Sequence, residues 1–104
     1  MDRSSIITLV KETYTTDSIG QQVPTESTRD VFCNIRSVSG IEWFEGSRNG
    51  INPQYKVAMF KYDYEGELIV KYGNERYSVY RTYETRNDTI ELYLEKKTGV
   101  KVNG

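Results

Sequence analysis

The sequence predicts a mainly β fold: a small antiparallel β-barrel of about six strands, with one short helix between the second and third strands. Apolar and polar residues alternate along most of the chain, which is the period of a half-buried strand. The alternation stops at residues 39–50, where helix start and stop signals flank a short segment. Strands joined mostly by short turns favour an antiparallel meander that curls into a small barrel or sandwich, because this limits exposed edges.

The helix is predicted by its two ends. Ser39 precedes it and Glu42 follows three residues later, which is the spacing of a capping box. Asn49 and Gly50 then provide a left-handed stop. Because so short a helix is marginal alone, we expect Trp43, with Ile41 or Phe44, to plug one open side of the barrel. Ser39, Glu42 and Trp43 are therefore the predicted structural anchor, and Trp43→Ala should cost roughly 3–5 kcal/mol, as for other buried aromatics.

The alternating segments predict the strands, at residues 4–14, 29–38, 54–62, 68–72, 77–84 and 89–96. The plainest inward-facing sets are Val31, Cys33 and Ile35 in the second strand and Ile90, Leu92 and Leu94 in the last. Both faces of the third strand carry apolar side chains, so we expect it to sit centrally. Gly73 and Asn74 predict a tight hairpin between the fourth and fifth strands.

Residues 15–28 interrupt the strand pattern. Gly20, Pro24 and many hydroxyl and amide side chains predict a long polar loop here. A loop of this length in a small domain is usually functional or disordered, and both interpretations stay open on this pattern alone.

Length and composition predict one domain over residues 1–104, with a flexible tail at residues 98–104 that is frayed or ordered by a neighbouring chain. The net charge is −1, and positive and negative residues are interspersed, so the sequence predicts no positively charged surface for binding phosphates. No apolar run approaches the length of a transmembrane helix, and the first residues do not resemble a signal peptide. We therefore expect synthesis in a cytoplasm and no membrane partner.

The residue types needed for common catalysis are scarce. The chain has no histidine, and its single cysteine, Cys33, alternates with inward-facing residues and is predicted to be a small buried side chain. Two carboxylate pairs, Glu42 with Glu45 and Asp63 with Glu65, are expected to lie in water. The glycines match neither a P-loop nor a dinucleotide fingerprint. We predict no catalytic, cofactor-binding or metal-binding residues, and hence neither an enzyme nor a cofactor.

Nine tyrosines allow two interpretations. Tyrosines suit strands and protein interfaces, because the ring can be buried while the hydroxyl stays wet. They also stack on bases, so three of them, interleaved with cations, could form a platform for single-stranded nucleic acid on a barrel of the oligonucleotide-binding type. That platform would consist of Tyr80, Tyr83 and Tyr93 with Arg81, Arg86 and Lys96. We favour strand and interface roles, because the chain is net negative.

The order of several short motifs resembles the bacteriophage head closure proteins, also called head–tail joining, connector or stopper proteins. In the first half these motifs are Ile35-Arg36-Ser37-Val38-Ser39, Glu42-Trp43-Phe44, Gly50, Pro53, Tyr55, Tyr62-Asp63-Tyr64 and Gly66-Glu67. In the second half they are Val70, Tyr72, Tyr77, Val79, Arg81-Thr82-Tyr83 and Asn87-Asp88-Thr89-Ile90-Glu91-Leu92. The resemblance covers residues 6–97. One departure is Gly46, where the family often carries alanine.

The resemblance implies a structural protein of the virion neck, at the head–tail junction of a phage or prophage. Such proteins form a homo-oligomeric ring, here expected to be dodecameric, below the portal and adaptor proteins. The ring closes the DNA-filled head and offers a surface to the tail completion protein. Its partners would be itself, these two neighbours, and packaged DNA held in the channel without sequence-specific binding.

Two sets of residues follow as hypotheses for that role. The polar loop would point into the channel and narrow it, through Asp17, Ser18, Ile19, Gln21, Gln22 and Glu26. The interface with neighbouring subunits or partners would include Arg48, Tyr62, Tyr64, Tyr80 and Tyr93.

Overall fold

A computed structural model of the chain, which describes residues 5–96, confirms the fold class. It is a closed barrel of six antiparallel strands with one short helix between the second and third strands. The elements are β1 (Ser5–Thr16), β2 (Gln22–Ser37), α1 (Gly40–Arg48), β3 (Pro53–Phe60), a 3₁₀ turn (Lys61–Asp63), β4 (Ile69–Tyr72), β5 (Glu75–Glu84) and β6 (Thr89–Glu95).

The strand order differs from the meander that we expected. Around the barrel it is β1-β2-β3-β6-β5-β4, so β3 pairs with β6 and β4 returns to pair with β1. The connection at residues 61–68, which contains the 3₁₀ turn, carries the chain across to that position. One edge of β1 pairs with β2, and β4 pairs with the other edge, which closes the barrel. In a simple meander the last strand, β6, would pair with β1 instead.

The barrel interior is filled by the side chains that alternation predicted. Val31, Cys33, Ile90, Leu92 and Leu94 all belong to the buried core, and Ile35 packs against it. Burial raises the pKa of the Cys33 thiol to about 11, so this cysteine is a core side chain and a poor nucleophile at neutral pH.

Helix α1 begins and ends where the sequence indicated. The Ser39 hydroxyl accepts from the Glu42 amide at 3.1 Å, and the Glu42 carboxylate accepts from the Ser39 amide at 3.0 Å, which completes the capping box. At the other end Gly50 has a φ of +79°, and the amides of Gly50 and Ile51 donate to the carbonyls of Ser47 and Gly46. This is a Schellman motif, which satisfies the last carbonyls of the helix.

The predicted anchoring role of Trp43 is wrong. Its side chain is 46% exposed, and no residue of α1 is buried. Three strand tyrosines instead occupy the interior near the start of β3: Tyr55 contacts Tyr72 and Tyr77 edge to face, with ring centroids 5.5 and 5.4 Å apart. These rings, and not the indole, pack against the core at the end of the barrel where β3 begins. A cost of 3–5 kcal/mol for Trp43→Ala is therefore no longer expected.

The predicted long loop at residues 15–28 is also wrong. β1 continues to Thr16 and β2 begins at Gln22, so that only a short turn separates them. The two strands stay in register over the whole stretch, from Ser5 opposite Cys33 to Thr16 opposite Gln22. Hydrogen bonds between the strands hold this hairpin, and its side chains are exposed on both faces. The sequence therefore shows no alternation of apolar and polar residues here that would predict strands.

We predict that Gly46→Ala destabilises the protein, although alanine favours helix by up to ~1 kcal/mol. A Cβ at this position would lie 2.5 Å from Cγ of the buried Pro53 ring, so the helix would have to shift. Overpacking of this kind costs about 1–3 kcal/mol. Urea denaturation should therefore show a net loss near 1 kcal/mol. Gly40→Ala is the control, because a Cβ there meets nothing within 4 Å, and an equal loss in both variants would contradict the packing argument.

The predicted flexible tail at residues 98–104 lies outside the described residues. Within residues 5–96, the chain has no helix of the length and apolarity needed to cross a membrane.

Candidate functional site

The most prominent feature outside the barrel is an arm formed by residues 11–28, where β1 and β2 extend beyond the other strands. β4 pairs with β1 only from Thr8 to Val10, and β3 pairs with β2 only from Cys33 to Ser37. Within the described part of the chain, both outer edges of the arm are therefore left without a neighbouring strand. Nearly every arm residue is exposed, and the molecule measures 49 × 34 × 22 Å, as expected for a barrel with a projection.

The tip of the arm is a turn organised by Asp17. Its Oδ1 accepts hydrogen bonds from the amides of Ile19 at 3.0 Å and Gln21 at 2.9 Å. Gly20 adopts a φ of +84°, which glycine tolerates without strain, and its amide donates to the Asp17 carbonyl. Backbone and side chain thus fix the turn, so the arm has a defined end.

Ion pairs hold the base of the arm against the barrel. The Arg76 guanidinium on β5 lies 3.0 Å from the Glu26 carboxylate and 3.9 Å from that of Glu12, one on each arm strand. The hydrogen bond from Arg76 lowers the pKa of Glu26. Lys11 lies 3.9 Å from Glu65 on the connection at residues 61–68. Each exposed pair contributes little alone, but together they restrict the direction of the arm.

The arm surface is acidic, with an apolar side chain near its tip. It carries Lys11 against three carboxylates, those of Glu12, Asp17 and Glu26. Ile19, at the turn, is 74% exposed. Of the residues proposed for a channel loop, Asp17, Ser18, Ile19 and Gln21 form the turn, whereas Gln22 and Glu26 belong to β2. The hypothesis therefore concerns a hydrogen-bonded hairpin and not a loop.

The residues proposed for an interface separate into two groups. Arg48 and Tyr62 are exposed, and Arg48 lies 3.7 Å from Glu45 on the same helix. The others make contacts within the chain. The Tyr64 hydroxyl donates to the Glu67 carbonyl at 2.6 Å, and the hydroxyl of the buried Tyr93 donates to Glu91 at 3.0 Å. The ring of Tyr80 lies against that of Tyr93, with centroids 6.2 Å apart.

The same contacts bear on the stacking platform considered above. Tyr93 is covered by cations: Arg81 lies 4.7 Å and the Lys56 ammonium 5.6 Å from its ring centroid. Lys96 pairs with Glu75 at 2.5 Å. Tyr83 is exposed, but Tyr80 and Tyr93 present no pair of open ring faces. These residues are arranged as intramolecular packing, and a base would have to displace Arg81 to stack on Tyr93.

Charged groups that could do acid–base chemistry are engaged elsewhere. Glu42 caps α1, Glu45 faces Arg48, and Glu65 faces Lys11. Among residues 5–96, no group of three or more acidic or cysteine side chains is placed to hold a metal ion.

Sequence reasoning missed one buried ion pair. Glu67, on the connection at residues 61–68, is 4% exposed and lies 2.8 Å from the Arg29 guanidinium on β2. Arg29 also donates to the Asp63 carbonyl at 2.7 Å. Burial by itself raises the pKa of Glu67, but the hydrogen bonds from Arg29 and from backbone amides outweigh it, so that the net pKa is lowered. The two residues are too far apart in sequence for any local pattern to link them.

Exposed apolar side chains also occur outside the arm tip: Tyr14 and Val23 lie on the arm strands, Leu68 lies on the connection at residues 61–68, and two further groups lie on β1–β2 and on α1. Ile6 and Phe32 are directly opposite each other on β1 and β2, and both point out of the barrel. Ile41, Trp43 and Phe44 are exposed on α1. Alternation placed Phe32 between inward residues, so its outward position could have been inferred from the sequence.

No protein-family model matches the chain. None of the curated proteins matches it either.

Proposed function

We propose that this chain is a structural protein of the head–tail connector of a tailed phage or prophage. It would act as a ring of identical subunits, dodecameric in the virion, below the portal and adaptor proteins. The ring would close the DNA-filled head and provide the attachment surface for the tail completion protein. In this proposal the chain is not an enzyme, needs no cofactor, is made in the bacterial cytoplasm and ends in the virion neck.

The observation that carries the proposal is the arm. A two-stranded ribbon is marginally stable in water on its own, yet this one projects from a closed barrel, and no strand of residues 5–96 pairs with either of its outer edges. The arm adds no contact to the core, so we attribute a role in contacts with other molecules to it. In a ring, identical arms pointing toward the axis would narrow the central channel, which replaces the channel-loop hypothesis with a stiffer element.

The charge of the arm is more consistent with steric obstruction of the channel than with binding of DNA phosphates. DNA-binding surfaces neutralise phosphates with lysine and arginine, whereas the arm carries three carboxylates and one lysine. Glu12 and Glu26 pair with Arg76 at the base of the arm, so the arm offers DNA no surplus of cations. DNA would therefore be stopped by the size of the opening and still be free to leave once the arms move.

The remaining exposed surfaces are suited to contacts between subunits. A ring subunit uses two different patches that meet on neighbouring copies. The outward pair Ile6 and Phe32 on one face, and exposed residues including Arg48 and Tyr62 elsewhere, are available for such patches. Each contact can be weak, because many act together in a closed ring.

The alternative, an oligonucleotide-binding barrel, is less well supported. Its platform would need Tyr93, which is buried beneath Arg81 and Lys56. No described feature favours it over the connector.

Cryo-electron microscopy of particles from a strain that carries this gene would test the proposal. We expect a rotationally symmetric ring at the neck into which this barrel fits, with its arms directed toward the channel axis. Mass spectrometry of the same particles should detect the chain in ring stoichiometry with the portal. Particles that lack the chain, or a neck without a matching ring, would contradict the proposal.

A further inference from the structure

Two apolar surfaces of this chain face solvent. The first, which we call the β1–β3 stripe, crosses the outer face of three neighbouring strands. Ile6 and Phe32 are directly opposite each other and are 52% and 61% exposed. The register of β2 with β3 places Phe60 beside Phe32, and Phe60 faces outward because Met59 next to it points into the core. The exposed ring of Tyr62 packs against that of Phe60, with centroids 5.2 Å apart, and completes the stripe.

The second surface, which we call the α1 ridge, is formed by apolar side chains of the helix. Ile41 and Phe44 are three positions apart and are therefore neighbours on the helix surface; they are 78% and 57% exposed. Trp43 lies beside Phe44 and is also exposed. A helix normally buries an apolar stripe against a neighbour, yet no residue of α1 is buried. The ridge therefore lacks a covering layer.

The two surfaces are too far apart to cover each other within one chain. Gly46 of α1 lies against Pro53, the first residue of β3, whereas Phe60 is the last residue of that strand. Because β3 has 8 residues, its ends lie roughly 23 Å apart. The helix also lines a groove with Tyr80 on β5, and in the order of the six strands β5 is opposite β2 and β6 is opposite β1. One copy can therefore offer the two surfaces to two different neighbours.

Charged residues next to both surfaces are engaged within the chain. Asp30, on β2 beyond Phe32, accepts a hydrogen bond from Thr8 at 2.6 Å. Arg48, whose guanidinium lies 6.0 Å from the Phe44 ring centroid, faces Glu45 at 3.7 Å. A contact between the two surfaces does not have to break these pairs. Its free energy would come from burial of apolar area and not from charge complementarity.

The shapes and areas suit a weak, repeated contact. A helix packed on a sheet is one of the stable ways in which two apolar faces cover each other. The exposed parts of the four aromatic side chains, Phe32, Trp43, Phe44 and Tyr62, amount to roughly 350–570 Å². A stable interface buries about 1,200–2,000 Å² in total. One such contact would therefore hold an isolated dimer weakly, whereas many contacts act together in a closed ring.

We propose that the α1 ridge of one copy packs on the β1–β3 stripe of the next copy, with Phe44 against Ile6 and Phe32. Because the two surfaces differ and lie on different sides of the barrel, the contact runs head to tail from copy to copy. Interfaces of this kind generate rings when the rotation closes. The inference rests on the proposed function, because it names the contact between subunits that the connector ring requires.

Cross-linking between introduced cysteines tests the contact in the purified full-length chain at high concentration. The native Cys33 is buried and its pKa is raised to about 11, so it does not compete for a bis-maleimide. The double variant Ile6→Cys/Phe44→Cys should give a ladder of covalent oligomers, and a mixture of the two single variants should give dimers. Each single variant alone should give no more dimer than the wild type. Equally abundant dimers from one single variant would show a symmetric contact and overturn the proposal, and so would a double variant that stays monomeric.

Removal of one aromatic ring measures its share of the contact. Phe44→Ser should weaken self-association in sedimentation velocity by at least about tenfold, because this ring lies at the centre of the contact. Tyr83→Ser is the matched control, since Tyr83 is similarly exposed, at 54%, and lies on β5 in neither surface. The urea midpoints of both variants should equal that of the wild type. Equal effects of the two substitutions on self-association, or no effect of either, would overturn the proposal.

Cryo-electron microscopy of the particles separates this inference from the proposed function. A neck ring of this chain whose subunits meet through other surfaces would overturn the inference and leave the connector function standing. A covalent ladder from the purified chain, with no ring of this chain in the particles, would support the contact and contradict the connector function.

Discussion

Replacing Arg29 with alanine is expected to lower the free energy of unfolding by about 3 kcal/mol, a large part of the ~5–15 kcal/mol typical of a small domain. The side chain of Glu67, its partner, is only 2% exposed and would be left as a buried carboxylate with backbone donors alone. The connection at residues 61–68 would have to open to hydrate it. Chemical denaturation measures this loss directly.

Three control variants distinguish the loss of the charge on Arg29 from the loss of its packing contacts as the cause of the lower stability. Glu67→Gln should cost only about 1 kcal/mol, because the Arg29 side chain is 39% exposed and can be hydrated. In the Glu67→Gln background, Arg29→Ala should then cost much less than in the wild type. Arg48→Ala, which breaks the exposed pair with Glu45, should change stability by less than ~0.5 kcal/mol. Equal losses for Arg29→Ala in both backgrounds would contradict the buried-charge account.

The ion pair between Arg29 and Glu67 also predicts that the contribution of Glu67 to stability changes with pH in opposite directions in the wild type and in Arg29→Ala. In the wild type the folded-state pKa of Glu67 is lowered. Its contribution is therefore present above the unfolded value of about 4.3 and is lost as the pH falls through the folded pKa. In Arg29→Ala, burial without the cation raises that pKa, so protonation at acid pH relieves the cost. The stability difference between the two proteins should shrink on acidification, and a constant difference would count against the pair.

Local signals in the sequence predicted local structure well. Ser39 and Glu42 fixed the start of α1, Gly50 its end, and Gly73 with Asn74 the hairpin, whose left-handed φ values of 59° and 70° the structure has. These features depend on residues a few positions apart, which a sequence displays directly. The inward sets of the strands were likewise predictable, because side chains alternate strictly between the two faces.

Features that depend on distant residues were not predictable. The core contacts near the start of β3 come from tyrosines of three different strands, and the pairing of Arg29 with Glu67 depends on the path of the connection at residues 61–68. The arm escaped detection for a different reason. Its strands bury neither face, so no apolar alternation marks them, and the threonines with Gly20 and Pro24 indicated a loop. Pro24 is tolerated because, within residues 5–96, β2 has a partner strand on only one side at this position.

Shortening the arm should have the largest functional effect, because the proposed block of the channel depends on its reach. Thr13 and Thr25 are directly opposite each other, with hydroxyls 2.8 Å apart. Replacing residues 14–24 with Asn-Gly would join them by a tight turn that suits a two-residue hairpin. Folding should be unaffected, since no residue removed belongs to the core. A full-length arm with Ile19→Ser is the matched control, and should behave as wild type if the block is steric.

The most direct measurement is the amount of DNase-protected DNA in heads assembled with each variant. The connector account predicts that heads with the shortened arm package DNA but then lose it, with infectivity falling in parallel. Heads with the Ile19→Ser arm should retain DNA as the wild type does. If shortened-arm heads hold as much protected DNA as wild-type heads, the arm does not close the channel and the central claim is contradicted.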